Sequence, residues 1–336
     1  MPPTFARRRL LALAAGALAT PALAQTPAAA PRSNPAPAWP TKPVKIMVGF
    51  PGGSTPDLVA RTIAEPLSKA LGQPVIVENR PGAGGNIAAD MVAKASDQHT
   101  IGVMINGNMT IAKLLNPATP YDPIKDLAPI SLIGTAPLML TAPADAPGAN
   151  AQDWFVQARN AGDKWSYGTP GVGTVGHIGM ELLKTKTNIN PVHVPYPGNP
   201  QVINAMIGGQ IQLSLLPPGL AVAQVRAGKL KAIGVTSLGR SPLVPEYPSL
   251  DELGITRGFQ LEIWTAAAAP ASMPRPVVSR LSALIAEIAR SPEVRQKLFQ
   301  QGWQVAGTSA EGLALRIKND TNLLGGVIAM RGIKAE

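Results

Sequence analysis

Apolar residues run almost unbroken from Val44 to Phe50, give way to Pro51-Gly52-Gly53-Ser54-Thr55, and resume at Leu58, Ile63 and Leu67 with Ala60 and Ala64 between them. The first run is the pattern of a buried strand. The second has the spacing of a helix that starts near residue 56, with Thr55 placed to cap it and Pro56 tolerated in its first turn. A strand, a glycine turn and a helix start aim unpaired backbone N–H groups and the positive helix end at one spot, which suits a carboxylate or a phosphate. An ordinary connection between a strand and a helix carries the same pattern.

The pattern recurs. Pro74–Glu78 predicts a strand, Asn79 to Asn86 a glycine-rich loop, and Ile87–Ala95 a helix; Thr100–Ile105 predicts a third strand, followed by Asn106-Gly107-Asn108 and a helix near Met109–Leu115. Three such alternations imply a parallel sheet with right-handed crossovers and loops gathered at the carboxyl ends of the strands. Asp126–Ala142 holds two apolar runs with little polarity between them, as suits a strand crossing from one domain to another. A helix at Trp154–Ala161 and a strand at Trp165–Thr169 follow. The loop Pro170-Gly171-Val172-Gly173-Thr174-Val175-Gly176-His177 then feeds a helix at Ile178–Lys184, repeating the opening architecture. Further strands are expected at Val192–Tyr196, Ile211–Leu216 and Lys231–Thr236, with helices at Val202–Ile207 and Leu220–Ala227. Gln260–Ala269 reads as a return crossover, and helices at Pro276–Ala289, Pro292–Gln301 and Ala310–Leu324 complete the chain.

The ends and the composition narrow the class. Arg7-Arg8-Arg9, an apolar stretch from Leu10 to Ala19, and Ala22-Leu23-Ala24 before Gln25 form a cleavable export leader, too short to span a membrane. Sec and twin-arginine routes both stay open. Residues 25–39 are rich in proline and alanine and read as a disordered linker. Of 336 residues none is cysteine, which excludes disulfides, thiolate catalysis and cysteine-bound metal, so the core alone holds the exported chain. The formal charge of +10 falls to +7 without the three leader arginines. No Asp or Glu lies between Glu181 and Glu246, while Lys184, Lys186, Arg226, Lys229, Lys231 and Arg240 do, a positive field that draws in anions. Sparse aromatics and scattered basic residues give nucleic-acid binding no support.

Gly171-x-Gly173-x-x-Gly176 matches the dinucleotide fingerprint, but the acidic partner about 20 residues on is missing, which argues against a nicotinamide cofactor and leaves an anion cradle. The three histidines, His99, His177 and His193, lack metal spacing, and no nucleophile elbow or paired-carboxylate cluster occurs; no cofactor is expected. His177 opens a helix directly after a glycine loop and either faces a ligand or packs structurally. Asp57 either complements a helix N-terminus or meets an amino or hydroxyl group of a ligand.

These stretches carry a resemblance. WPTKPVKIMVGFPGGSTPDLVAR, LGQPVIVENRPGAGGNIAADMVAKA, YDPIKDLAPISLI, YGTPGVGTVGHIGMELL, HVPYPGNPQ, VRAGKLKAIGVTS and RSPLVPEYPSLDE, in order from Trp39 to about Glu252, resemble the Bug/TctC family of periplasmic solute receptors. The resemblance implies an α/β fold of two doubly wound lobes joined by crossover strands, like a type II periplasmic binding protein. Lobe one would comprise residues 40–134 and 262–336, and lobe two 135–261. It implies a periplasmic monomer without enzymatic activity that closes on a small carboxylate and presents it to a membrane permease of the tripartite tricarboxylate type. A sensor for a membrane kinase, or an anion-processing enzyme using His177, would share this sequence pattern. Carried over, the ligand-binding residues are Gly52, Gly53, Ser54, Thr55 and Asp57 from the first lobe, Asn108 from a third loop, and Thr169, Gly171, Gly173, Thr174 and His177 from the second. The turns at 52–55 and 171–174 are expected to confront one another across a gap.

The chain departs from the family pattern at Pro56, at Asp97-Gln98-His99, at Leu215-Leu216-Pro217 in place of a more polar segment, and at Pro197 in place of a frequent lysine. These changes imply a less polar pocket, better suited to an aromatic or aliphatic monocarboxylate than to a citrate-like ligand.

Overall fold

The computed structural model describes residues 39–333; the leader and the linker as far as residue 38 lie outside the described residues. In chain order the elements are β1 (Val44–Val48), α1 (Thr55–Leu71), β2 (Val75–Asn79), α2 (Asn86–Ala93), β3 (Thr100–Ile105), α3 (Asn106–Thr110), α4 (Ala112–Leu115), β4 (Leu127–Pro137) and β5 (Met139–Pro143). They continue with α5 (Ala151–Ala161), β6 (Ser166–Thr169), α6 (Val175–Thr187), β7 (Val192–Pro195), α7 (Asn199–Ile207), β8 (Ser214–Leu216), α8 (Pro218–Arg226) and β9 (Leu230–Val235). The last are β10 (Glu262–Pro270), α9 (Arg275–Arg290), α10 (Pro292–Gln300), β11 (Gln304–Val305) and α11 (Ala310–Arg331).

Six strands form the larger sheet in the order β11-β4-β10-β3-β1-β2. β1 runs parallel to β2 and β3, whereas β10 is antiparallel to β3 and β4, and β11 is antiparallel to β4. The sheet is therefore mixed rather than parallel throughout, because β10 enters from a distant part of the chain instead of over a helical crossover. β1 lies inside the sheet between β3 and β2 and is buried at Val44, Ile46, Met47 and Val48, so its run of apolar residues faces helices on both sides. α1 buries Val59, Ala60, Ile63, Ala64, Leu67 and Leu71 along one stripe and stops at Gly72, which takes the left-handed conformation and donates its N–H to Ser68 O.

The second sheet is assembled from β8-β5-β9 and the parallel pair β6-β7. Gln212 N donates to Ser166 O at 2.8 Å and Gly168 N to Leu213 O at 3.1 Å, which joins the two groups into one continuous surface. The chain leaves the large sheet through Leu138 and returns to it at Glu262. Both passages are tied at the buried Thr236: its Oγ1 accepts from Leu138 N at 2.8 Å and donates to Leu261 O at 2.7 Å. Its own N–H donates to Leu138 O, and its carbonyl accepts from Leu261 N.

α11 runs to Arg331, past the expected end at Leu324, although Gly325 and Gly326 disfavour helix. Leu324, Val327 and Ile328 pack with Ile111, Leu115 and Ile178, and that burial outweighs the local preference.

Candidate ligand-binding cleft

Four turns at strand ends meet along one seam. Gly84 takes φ +62° in the turn after β2, and Gly171 takes φ +123° in the turn after β6. A Cβ on Gly171 would lie 2.8 Å from Gly84 Cα, and one on Gly84 would lie 2.6 Å from Val172 O. A Cβ on Gly107 would lie 2.4 Å from Gly173 O. The backbones touch directly, an approach only glycine permits. Beside this contact is a cavity of about 680 Å³ lined by Pro81–Gly84, Asn86, Gly107, Asn108, Ala112, Leu115, Asn116, Gly171–Gly173 and Pro195–Pro197. Among the described residues that line it, none carries a charge.

Asn108 builds one wall. It is 2% exposed, and its Nδ2 donates to Gly84 O at 2.9 Å and to Asn86 Oδ1 at 2.8 Å, while its Oδ1 accepts from Ile105 N at 3.4 Å. Tyr121 braces the same group, its hydroxyl donating toward Asn86 Oδ1 and Asn108 O at 2.9 and 2.8 Å; burial, its largest influence, pushes that phenol well above its ordinary range. Behind the opposite wall Thr174 occupies the N-cap of α6 but turns its hydroxyl to Gly171 O at 2.8 Å and caps nothing. The first turn of α6 is thus left without a side-chain acceptor, an arrangement that attracts an anion.

The sequence-predicted residues fall into three places. Asn108, Gly171 and Gly173 line the cavity; Thr169 and Thr174 are buried immediately behind the 171–173 turn. Thr169 Oγ1 is 3.2 Å from Gly171 O and 3.3 Å from Gly171 N. Gly52, Gly53, Ser54, Thr55 and Asp57 do not line the cavity. What 171–173 touches is the 84 and 107 region, while the 51–55 turn lies against the α7 entry: a Cβ on Gly198 would sit 2.8 Å from Pro51 Cδ, and Asn199 Nδ2 is 3.5 Å from Thr55 Oγ1. Along this second contact Ser54 Oγ, Asn199 Oδ1 and Gln201 Oε1 are buried without a hydrogen-bond partner among the described residues, which marks it as a place for water or a ligand's polar group. The N-cap of α1 is Ser54 rather than Thr55, which is the first helical residue.

His177 does not line this cavity, although its Nδ1 accepts from Gly173 N at 3.3 Å. It lines a separate crevice of about 370 Å³ with Asp163, Glu181, Lys184 and His193. Asp57 is also occupied internally: it accepts from Gly53 N at 2.9 Å, from Asn79 Nδ2 at 2.9 Å and from Arg61 Nε at 3.0 Å. Burial raises its pKa most, yet the hydrogen bonds from Arg61, Gly53 and Asn79 together outweigh this and hold the carboxyl below its ordinary value. A depressed carboxylate stabilises the fold above its unfolded pKa, and the contribution disappears as pH falls through the folded value. Asp57→Asn is expected to cost about 1–3 kcal/mol at neutral pH. In urea titrations the gap from the parent protein should close below about pH 4; an equal gap at pH 7 and pH 3 would contradict this role.

Asn86 and Tyr196 also line the cavity and are not among the sequence-predicted residues, although each belongs to a turn recognisable as the loop after a strand. Pro197 lines the cavity, as the departures from the family pattern imply; Leu215 and Leu216 do not, being buried in β8. The apolar share of the wall comes instead from Pro81, Ala83, Ala112, Leu115, Val172, Pro195 and Pro197.

The chain matches the TctC family, described as tripartite tricarboxylate transporter family receptor, over residues 59–333. The solved structure of the periplasmic binding protein BugD is 31% identical, with 89% of this chain and 100% of that chain covered and a TM-score of 0.83. MatC from Rhodopseudomonas palustris, with bound malate, is 31% identical over 86% of this chain and 100% of its own, with a TM-score of 0.82. An R. palustris protein solved with adipate is 29% identical, covering 88% and 99%, with a TM-score of 0.84.

Proposed function

The chain belongs to the TctC family of tripartite tricarboxylate transporter receptors, and from that premise we propose that it is an exported, monomeric solute-binding protein that captures a small carboxylate in the cleft beside Asn108 and Gly171–Gly173. The observation that carries this reading is a cavity of about 680 Å³ with no charged side chain among its described lining, walled by backbone turns, one of which, Gly171–Gly173, leads directly into a helix lacking a side-chain cap. In such a setting an anion is held by N–H groups and the helix end, and those bonds strengthen as water is excluded. Malate and adipate in two relatives support the ligand class. The apolar part of the wall favours a ligand with an aliphatic or aromatic tail.

Capture works by closure of two lobes, residues 40–134 with 262–336 and residues 135–261, about the passages tied at Thr236. The ligand-binding set is Gly171, Gly173 and Asn108 directly, with Thr169 and Thr174 shaping the turn. Gly52, Gly53, Ser54 and Thr55 would serve the neighbouring polar contact at Asn199. The closed form would then be recognised by a membrane permease.

The test is a thermal-shift screen of mono- and dicarboxylates. A ligand that binds only the folded state raises its apparent stability, by about 2.7 kcal/mol at a hundred times Kd. Stabilisation by carboxylates with apolar tails, and not by the matching alcohols or amides, is expected. Equal stabilisation by uncharged analogues would contradict anion capture.

A further inference from the structure

We propose that His177 and His193 are a positioning pair for the ligand-facing turn, holding residues 169–174 in shape through hydrogen bonds of which the one to His177 forms only with the neutral ring, so that carboxylate affinity falls when His177 takes up a proton. The link to affinity rests on the reading of 171–173 as a ligand wall; the link to the turn does not.

The two rings are stacked at 4.3 Å with 19° between their planes, and His193 is stacked in turn on Tyr167 at 4.8 Å. Each ring reaches the turn from behind. His177 Nδ1 accepts from Gly173 N at 3.3 Å, and an accepting ring nitrogen carries no proton. His193 Nε2 is 2.7 Å from Thr169 Oγ1, the hydroxyl that bridges Gly171 N and Gly171 O. His193 Nδ1 is buried without a partner among the described residues, so a proton there would find no acceptor. The network therefore assigns the proton of neutral His193 to Nε2, from which it is donated to Thr169; Thr169 passes its own hydrogen to Gly171 O.

A proton added to His177 Nδ1 converts the acceptor of Gly173 N–H into a second donor, and the two groups must separate. Burial, followed by repulsion from a charge on His177, pushes His193 down to about 4, so a proton on His177 keeps His193 neutral. Among the described residues, the charged and titratable groups facing the pair are Glu181 and Lys184 from α6, Tyr167 from β6 and Asp163 from the turn after α5. Glu181 accepts from Tyr167 at 2.6 Å and from Lys184 at 3.0 Å, so much of its charge is already countered locally.

The experiment is backbone hydrogen exchange of the 171–175 segment in the full chain at about pH 5 and pH 8, corrected for intrinsic rates. It is applied to the parent protein, to His177→Asn, whose Oδ1 accepts a hydrogen bond but does not titrate, and to His177→Ala. The parent is expected to lose protection by about tenfold at the lower pH, the loss of one hydrogen bond. His177→Asn should stay protected at both, and His177→Ala at neither, with strand β1 unchanged as a control for folding. Parent protection that does not change with pH, or an equal loss in His177→Asn, would overturn the proposal. Calorimetric titration with adipate is the second arm: a Kd several-fold weaker at pH 5 in the parent but not in His177→Asn supports the link to affinity, and a Kd equal at both in the parent overturns it. Absence of adipate binding at either pH counts against the ligand reading alone, since the exchange result still decides whether the pair positions the turn.

Discussion

Replacing Gly171 by valine is expected to weaken binding of any carboxylate found by the thermal-shift screen at least about a hundredfold while leaving the fold intact. Gly171 holds φ +123°, a conformation that costs a residue with a side chain about 1–3 kcal/mol. Its Cβ would also meet the backbone of Gly84 at 2.8 and 3.0 Å, and neither turn has a flexible side chain there that could move aside. The seam must open or the turn must rotate, and either change takes the 171–173 backbone away from the ligand. Together these amount to about 3 kcal/mol, or two orders of magnitude in Kd. Gly52→Ala is the contrast: a Cβ there meets nothing within 4 Å, and Kd should change less than about threefold. Isothermal titration of both variants checks this. Equal losses would place the ligand against the 52–55 turn as strongly as against 171–173.

Asn108→Ala should lower stability by about 2–4 kcal/mol and abolish measurable binding as well. Removing this side chain takes the donor from Gly84 O and Asn86 Oδ1 and the acceptor from Ile105 N, in a place only 2% exposed. Each buried group left unpaired costs about 1–3 kcal/mol, reduced where water can enter the enlarged cleft. The urea midpoint should fall with an unchanged slope. A loss under about 0.5 kcal/mol would mean that Asn86 and Gly84 find other partners, and that Asn108 is no wall of the site.

How much of this could be read from residues alone depended on whether the cause was local. β3 is legible to its ends, Thr100–Ile105, because a continuous apolar run is bounded by polar residues and an Asn-Gly turn. α1 is legible because its stripe has helical spacing and Gly72 stops it. Strand direction is not encoded in such runs, so β10 gave no sign of lying antiparallel between β3 and β4. β11 has two residues and no periodicity at all.

The site divides in the same way. Glycine turns after strands announce themselves, and that signal points to Gly171, Gly173 and Asn108, which line the cavity. Which turns meet is decided by packing of the two sheets: 171 meets 84, and 55 meets 199, pairings that no sequence spacing contains. His177 follows a glycine turn, yet α6 carries it round to stack on His193, a residue on another strand. Asp57 has two readings from the sequence, and the partners its carboxylate takes, Arg61 one helical turn on and Asn79 on β2, are ones no sequence spacing singles out together.

The most direct measurement is a crystal structure with the carboxylate that stabilises the protein most. The expected result places a carboxylate oxygen within about 3 Å of backbone N–H groups at the 171–175 turn, with its tail against Pro81, Leu115 or Pro197 in the cavity. A carboxylate held instead by lysine or arginine side chains outside this cleft would contradict anion capture by the main chain.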